Sequence, residues 1–164
     1  MLEEIKEKFI MDILEVLKNL NITYEIQEHV PVYTVDDIKK ISWKLKGIGG
    51  KNLFLKDARG KFFLYILPQD KRADLKILAN KINSKRLSFA NEVELKTYLG
   101  LIPGSVTPLG VINDKESIVT LVLDKELKNK ILLVHPNRNT ATIAIRYEDL
   151  IKFINYCGNK YMEI

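Results

Sequence analysis

Lys51-Asn52-Leu53-Phe54-Leu55-Lys56-Asp57-Ala58-Arg59-Gly60-Lys61-Phe62-Phe63-Leu64-Tyr65-Ile66-Leu67 reads as a strand, a turn and a second strand. Asp57 to Gly60 carries the turn. Phe62 to Leu67 is apolar without a break, as in a strand covered on both faces, and Pro68 stops it. The two arms predict a β-hairpin. Upstream, Gly47, Gly49 and Gly50 predict a flexible approach to the first arm. Thr34-Val35-Asp36-Asp37 has the spacing of a capping box, and Val35, Ile38 and Ile41 share a face, so a short helix is expected through about Leu45. Ile22, Tyr24 and Ile26 alternate with polar residues in a strand that Pro31 ends. Leu2, Ile5, Phe9, Ile13, Leu17 and Leu20 form the stripe of an amphipathic helix closed by Asn21.

Downstream, Leu75, Leu78, Ala79 and Ile82 mark a helix, and Leu87 and Phe89 a short strand. Asn91 caps a helix that ends at Gly100. A loop from Leu101 to Gly110 comes next. Ile118–Leu123, Ile131–His135 and Ala141–Ile145 read as strands, with turn chemistry at Pro136 to Asn139 between the last two. A final helix carries Leu150, Phe153, Ile154 and Cys157 and stops at Gly158. About six strands with interspersed helices, several joined by short turns, predict an α/β (α+β) fold: a mixed, largely antiparallel central sheet curled toward a barrel, with helices packed outside. The whole of 1–164 is expected to be one domain.

The composition narrows the function classes. An apolar share of 46% with plentiful charge is that of a soluble globular chain. The net charge of +5 suits transient contact with a polyanion, although lysine-rich surfaces also arise from solubility alone. A single cysteine, Cys157, rules out an internal disulfide. Glu3, Glu4 and Glu7 interrupt any apolar leader, and no apolar run nears the roughly 20 residues of a membrane span, so a cytoplasmic location is expected. Dinucleotide, Walker, zinc-protease and nucleophile-elbow motifs are all missing. Two distant histidines and one cysteine are too few for a typical zinc site, so neither metal nor cofactor is expected.

Three features remain. Lys51 opens a strand after glycines. Gly104-Ser105-Val106-Thr107-Pro108 spells G-x-x-x-P, a loop able to present backbone amides and carbonyls. His135 closes a strand before a turn. Each alone has a plain explanation: a solvated charge, a common string, a packed imidazole. Together they carry function only if they border one cavity.

In combination, Lys51 to Asp57, Gly104 to Pro108 and His135-Pro136-Asn137-Arg138-Asn139-Thr140-Ala141-Thr142 closely resemble the prolyl-tRNA synthetase insertion-domain family, also called the YbaK-like editing fold. Glu28 to Val35 resembles its N-terminal signature, with Tyr33 where Phe is frequent, and Asp70 to Lys76 matches as well. The resemblance runs from about Tyr24 to the C-terminus. Without a synthetase catalytic domain, the chain is most similar to the freestanding deacylases that clear alanine from tRNA(Pro).

The resemblance implies hydrolysis of the ester that joins a wrong amino acid to the 3′ adenosine of a tRNA. A synthetase pocket built for proline excludes a smaller residue poorly, because a lost methylene is worth only about 1–3 kcal/mol. A second site that admits alanine and refuses proline by steric clash completes the double sieve. Lys51 is then expected to hold the 3′ phosphate or ribose. Asn52 belongs to the same motif, but strand alternation turns it to the opposite face, so a role for it requires a twist or bulge. Gly104, Ser105, Val106, Thr107 and Pro108 grip the aminoacyl group and ribose, and His135 holds the aminoacyl end or orders the water. The substrate's neighbouring ribose hydroxyl helps activate that water. Val30, Val32, Tyr33 and Tyr65 are expected walls of the pocket. Lys56, Lys71, Arg72, Lys85, Arg86 and Arg138 are expected to meet tRNA phosphates. The expected partner is the aminoacylated 3′ end of tRNA(Pro), with no DNA or membrane; transient contact with prolyl-tRNA synthetase or an elongation factor stays open. So do two alternatives: removal of cysteine or serine instead of alanine, and a tRNA-binding module of the same fold without activity.

Overall fold

The computed structural model describes residues 12–164. Leu2, Ile5 and Phe9 of the expected first helix lie outside them. The described part of that helix is α1 (Ile13–Asn19), capped by the Asp12 side chain, with Ile13, Val16 and Leu17 buried. The central feature is the hairpin of β2 (Ile48–Asp57) and β3 (Phe62–Pro68), antiparallel from Gly50↔Pro68 to Lys56↔Phe62. Its turn is held by buried Asp57, whose Oδ1 accepts from the backbone N–H of Arg59 and of Lys61, both at 2.9 Å. Every residue of β3 is buried, as its unbroken apolar run predicts. Phe54, Phe62, Leu64 and Ile66 pack into a large core on one face. Leu55, Phe63, Tyr65 and Leu67 pack into a smaller core on the other, beneath α3 (Leu75–Ile82).

The other strands extend the sheet in both directions. They are β1 (Glu25–Glu28), β4 (Leu87–Phe89), β5 (Val119–Leu123), β6 (Ile131–Val134), β7 (Ala141–Arg146) and β8 (Tyr161–Glu163). The order is β1-β7-β6-β2-β3-β5-β8, with β4 beside the far end of β2, so the curled sheet is open between β1 and β8. Pairs β1–β7, β6–β7, β2–β3 and β2–β4 are antiparallel; β2–β6, β3–β5 and β5–β8 are parallel. The remaining helices are α2 (Val35–Lys39), α4 (Glu92–Leu99) and α5 (Tyr147–Cys157).

Three departures from the sequence reading shape the site. Gly49 and Gly50 are part of β2, not a loose approach, and only Gly47 precedes the strand: Ile48 and Gly49 pair with Leu132 and Leu133, and Gly50 pairs with Pro68. Helix α2 has its capping box but stops at Lys39 rather than near Leu45. Gln27 is the reason. Its Oε1 accepts from the N–H of Lys44 and Leu45, and its Nε2 donates to the Ser42 carbonyl, which ties residues 42–45 to β1 instead of a helix. The first strand lies later than expected: Ile22 is buried ahead of it, and Ile26 is 40% exposed on a strand that, among the described residues, pairs only with β7. Strand β8 is too short to leave a periodic signal in the sequence.

Candidate active site

At the N-terminal end of β2 the chain encloses a cavity of about 270 Å³. Gly47, Gly49, Gly50 and Asn52 contribute from β2 and its approach, Leu133 and Val134 from β6, His135 from just beyond its end, and Thr142 from β7. Val32, Ile38 and Trp43 close one side, and Gln69 stands at another. A Cβ on Gly49 would lie on the amide of Gln69, so glycine is what admits that side chain.

The His135–Thr142 motif holds this site together. Val32 N–H donates to the Asn139 carbonyl at 3.1 Å, and Asn139 Nδ2 returns a bond to the Val32 carbonyl at 3.2 Å. His29 N–H donates to the Thr140 carbonyl. On the other side, the Thr107 hydroxyl donates to the His135 carbonyl at 2.6 Å, and Asn137 Nδ2 reaches the Leu109 carbonyl. One turn therefore fixes both the N-terminal signature and the G-x-x-x-P loop. In that loop Ser105 and Thr107 are buried, with Ser105 bonded to Ile102, and Pro108 opens a 3-10 helix over Pro108–Asn113. Val106 is partly buried against the large core. Gly104 has φ +88, and an added Cβ would stand 3.3 Å from the Val32 carbonyl oxygen.

His135 is held in one tautomer. The Ala141 carbonyl, at 2.9 Å, can only accept, so Nδ1 carries the proton and Nε2 of the neutral ring is an acceptor. Burial pushes the His135 pKa below its ordinary value of 6.5, against the pull of the Ala141 bond, and nearby His29 pushes the same way. The ring is therefore neutral at pH 7. His29 packs edge-on to His135 with ring centroids 6.1 Å apart and to Trp43 at 5.5 Å, and its Nε2 meets the Thr142 hydroxyl at 2.8 Å.

This fixes a pH signature. The folded state takes up the His135 proton at lower pH than the unfolded chain does. Stability is therefore expected to fall as pH drops below about 6.5 and to level off below the folded-state pKa. His135→Gln is expected to remove that part of the slope while leaving the decline caused by carboxylates near pH 4. Urea titrations of both proteins between pH 5 and 7.5 give the answer; parallel curves would show that His135 carries no linkage.

Asn52 faces the cavity, and its Oδ1 is buried with no hydrogen-bond partner among the described residues. Lys51, its neighbour, points the other way, as alternation requires. The Lys51 Nζ donates to the Lys71 carbonyl at 2.7 Å, just past the cavity-lining Gln69. The three expected features thus meet unequally: His135 lines the cavity, the G-x-x-x-P loop braces it from behind, and Lys51 flanks it. Of the expected walls, Val32 lines the cavity. Val30 and Tyr33 are 67% and 64% exposed at its edge, and Tyr65 is buried in the smaller core on the face away from Asn52. Trp43, Gln69 and Thr142 are cavity residues that pattern reading does not assign. Thr142 ends a quoted motif, and Trp43 is the only tryptophan; Gln69 leaves no signal.

The basic residues divide. Lys56 pairs with Glu94 at 2.9 Å, Lys71 with Asp124 at 2.7 Å, and Arg138 forks onto Glu28 with both bonds at 2.7 Å. Arg72, Lys85 and Arg86 are exposed. Lys85 borders another, larger cleft of about 670 Å³ with Arg59, Lys61 and Lys160. That cleft lies at the opposite end of the hairpin, roughly 20 Å along the strands, and on the α3 side. Cys157 is no nucleophile: burial pushes its thiol up to about 12. Among the described residues no group of three or more His, Cys, Asp or Glu could hold a metal ion, and no helix is long and apolar enough to cross a membrane.

The chain resembles known proteins in sequence and in fold. The family model of the aminoacyl-tRNA editing domain matches residues 29–153. The chain is 43% identical to the prolyl-tRNA editing protein ProX of Acetoanaerobium sticklandii, over 90% of this chain and 92% of that one. It is 37% identical to the prolyl-tRNA synthetase associated domain-containing protein 1 of Danio rerio, over 85% and 78%. The fold matches the crystal structure of hypothetical protein APE2540 with a TM-score of 0.71 at 18% identity, over 93% and 97% of the two chains. It also matches that of a candidate trans-editing enzyme for prolyl tRNA synthetase with a TM-score of 0.70 at 17% identity, over 93% of each.

Proposed function

The chain belongs to the aminoacyl-tRNA editing domain family, and from that premise we propose that it acts in trans as a deacylase of alanyl-tRNA(Pro). Residues 1–164 are read as one editing domain working in the cytoplasm. The observation that carries the reading is the cavity. At about 270 Å³ it falls below the roughly 300–1,000 Å³ of pockets for drug-sized ligands, which suits a small aminoacyl group. Within it, Asn52 Oδ1 is a buried acceptor that lacks a donor. Buried polar atoms are nearly always bonded, and the α-amino group of an aminoacyl ester supplies the missing N–H.

The chemistry asks little of the protein beyond placement. Water adds to the ester carbonyl carbon, the bond to the ribose oxygen breaks, and that oxygen takes up a proton as the free amino acid leaves. The neighbouring ribose hydroxyl assists the water. Neutral His135 offers Nε2 as an acceptor for the water or the aminoacyl end, and the Gln69 side chain, admitted over the bare Cα of Gly49, lines the same cavity. Val32, Ile38, Trp43 and Leu133 oppose a bulkier proline by packing.

The test is a deacylation panel of alanyl-, cysteinyl- and prolyl-tRNA(Pro). Loss of the alanyl ester with survival of the prolyl ester is the expected result. Turnover of the cysteinyl ester alone would reassign the substrate, and three intact esters would remove the activity altogether.

A further inference from the structure

We propose that the ring of Tyr33 is the stacking platform for the 3′-terminal base of the substrate, adenine in tRNA. The assignment rests on the deacylase reading above and extends it to the nucleoside that carries the ester.

The first argument is volume. At about 270 Å³ the cavity suits a small aminoacyl group rather than a whole aminoacyl nucleoside. With the aminoacyl group inside, the base, tethered beyond the ribose, reaches the rim.

The second is what the rim offers. Tyr33 is 64% exposed and directly follows Val32, a wall of the cavity that is 4% exposed. Among the described residues no aromatic side chain is more exposed. Val30 and Val35, close to it in the chain, are exposed as well, at 67% and 57%. An exposed aromatic ring in an apolar stretch of chain suits a flat base better than a phosphate. Arg138, in the turn that clamps Val32, is already held by Glu28.

The third is rigidity. Tyr33 N–H donates to Asp37 Oδ2 at 3.0 Å, which fixes the residue to the capping box of α2. Val32 beside it is clamped to Asn139 by two hydrogen bonds. On the other side, a Cβ on Gly104 would stand 3.4 Å from both Tyr33 Cα and Cδ1, so the ring lies along the bare glycine of the G-x-x-x-P loop. A pre-placed tyrosine gives up little conformational freedom on binding. This placement also accounts for why sequence reading puts Tyr33 in the pocket wall: it neighbours the wall and points past it.

The test uses two non-hydrolysable probes, 3′-deoxy-3′-(alanylamino)adenosine and its counterpart without the base, titrated calorimetrically into the wild-type protein, Tyr33→Ala, Tyr33→Phe and Tyr33→Trp. Base–aromatic stacking predicts that Tyr33→Ala weakens the adenosine probe by about 5- to 150-fold. Phe and Trp are expected to stay close to wild type, and the baseless probe is expected not to distinguish wild type from Tyr33→Ala. Thermal melting checks that the variants fold; the exposed ring gives no reason for them not to. Equal binding of the adenosine probe by wild type and Tyr33→Ala overturns the assignment. So does an equal loss with both probes, which would mean that the ring only shapes the loop. If the wild-type protein also fails to deacylate any charged tRNA in the panel, the deacylase reading falls and takes this one with it; deacylation with no effect of Tyr33→Ala removes this one alone.

Discussion

Lys51→Ala is expected to lower kcat/KM for alanyl-tRNA(Pro) by about 100- to 1,000-fold while the protein stays folded. The magnitude is that of removing one preorganised electrostatic group from a hydrolytic site. The structure places the Lys51 ammonium beside the cavity rather than in its wall, with one bond to the Lys71 carbonyl. An ammonium has three donors, so two remain for a phosphate or ribose oxygen of the arriving 3′ end. Its partial burial makes such a contact stronger than the same contact in open water. The existing bond has a second effect: it steadies the turn after β3 from which Gln69 enters the cavity. Lys51→Arg separates the two contributions, since it keeps the charge but fits the carbonyl differently. Single-turnover deacylation, with a melting curve for each variant, is the measurement. A folded Lys51→Ala protein working within about threefold of wild type would remove Lys51 from the mechanism.

What the sequence made legible was mostly local. The hairpin, the capping box at Thr34, the Asn91 cap and the Gly100 and Gly158 stops each depend on a few neighbouring residues, and each is present. The extent of α2 was not legible, because Gln27 decides it from another strand and periodicity does not register one long-range amide. The glycines before Lys51 misled for a related reason. Glycine signals flexibility in isolation, yet here the missing Cβ of Gly49 makes room for Gln69 inside a paired strand. Motif resemblance brought the Val32, Gly104 and His135 segments together correctly, since one turn joins them. It could not say which side of each segment meets the cavity. Strand alternation could: it separates Lys51 from Asn52 and puts Tyr65 under the opposite face, as the structure has them.

Gly104→Val is expected to be the most damaging single change in the loop, lowering kcat/KM by about 100-fold and stability by about 1–3 kcal/mol. Two costs combine. At φ +88 a β-branched residue is strained whatever the space around it. Its Cβ would also meet the Val32 carbonyl oxygen at 3.3 Å, so Val32 or the loop must give way. Neither moves alone. Val32 is tied to Asn139, the loop is tied through Thr107 to the His135 carbonyl, and Asn139 and His135 belong to one turn. A shift at Gly104 therefore reaches the cavity wall and the imidazole together. Pro108→Ala, at the other end of the motif, loses only a fixed φ at the start of the 3-10 helix and should cost about 0.4–1 kcal/mol, with a smaller loss of activity. Urea denaturation measured beside deacylation distinguishes strain from simple unfolding. The expected Gly104→Val protein is folded in the absence of urea, has a lowered midpoint, and is slow even at saturating substrate. Full activity in both variants would reduce the loop to a connector and leave the positioning of His135 to the turn alone.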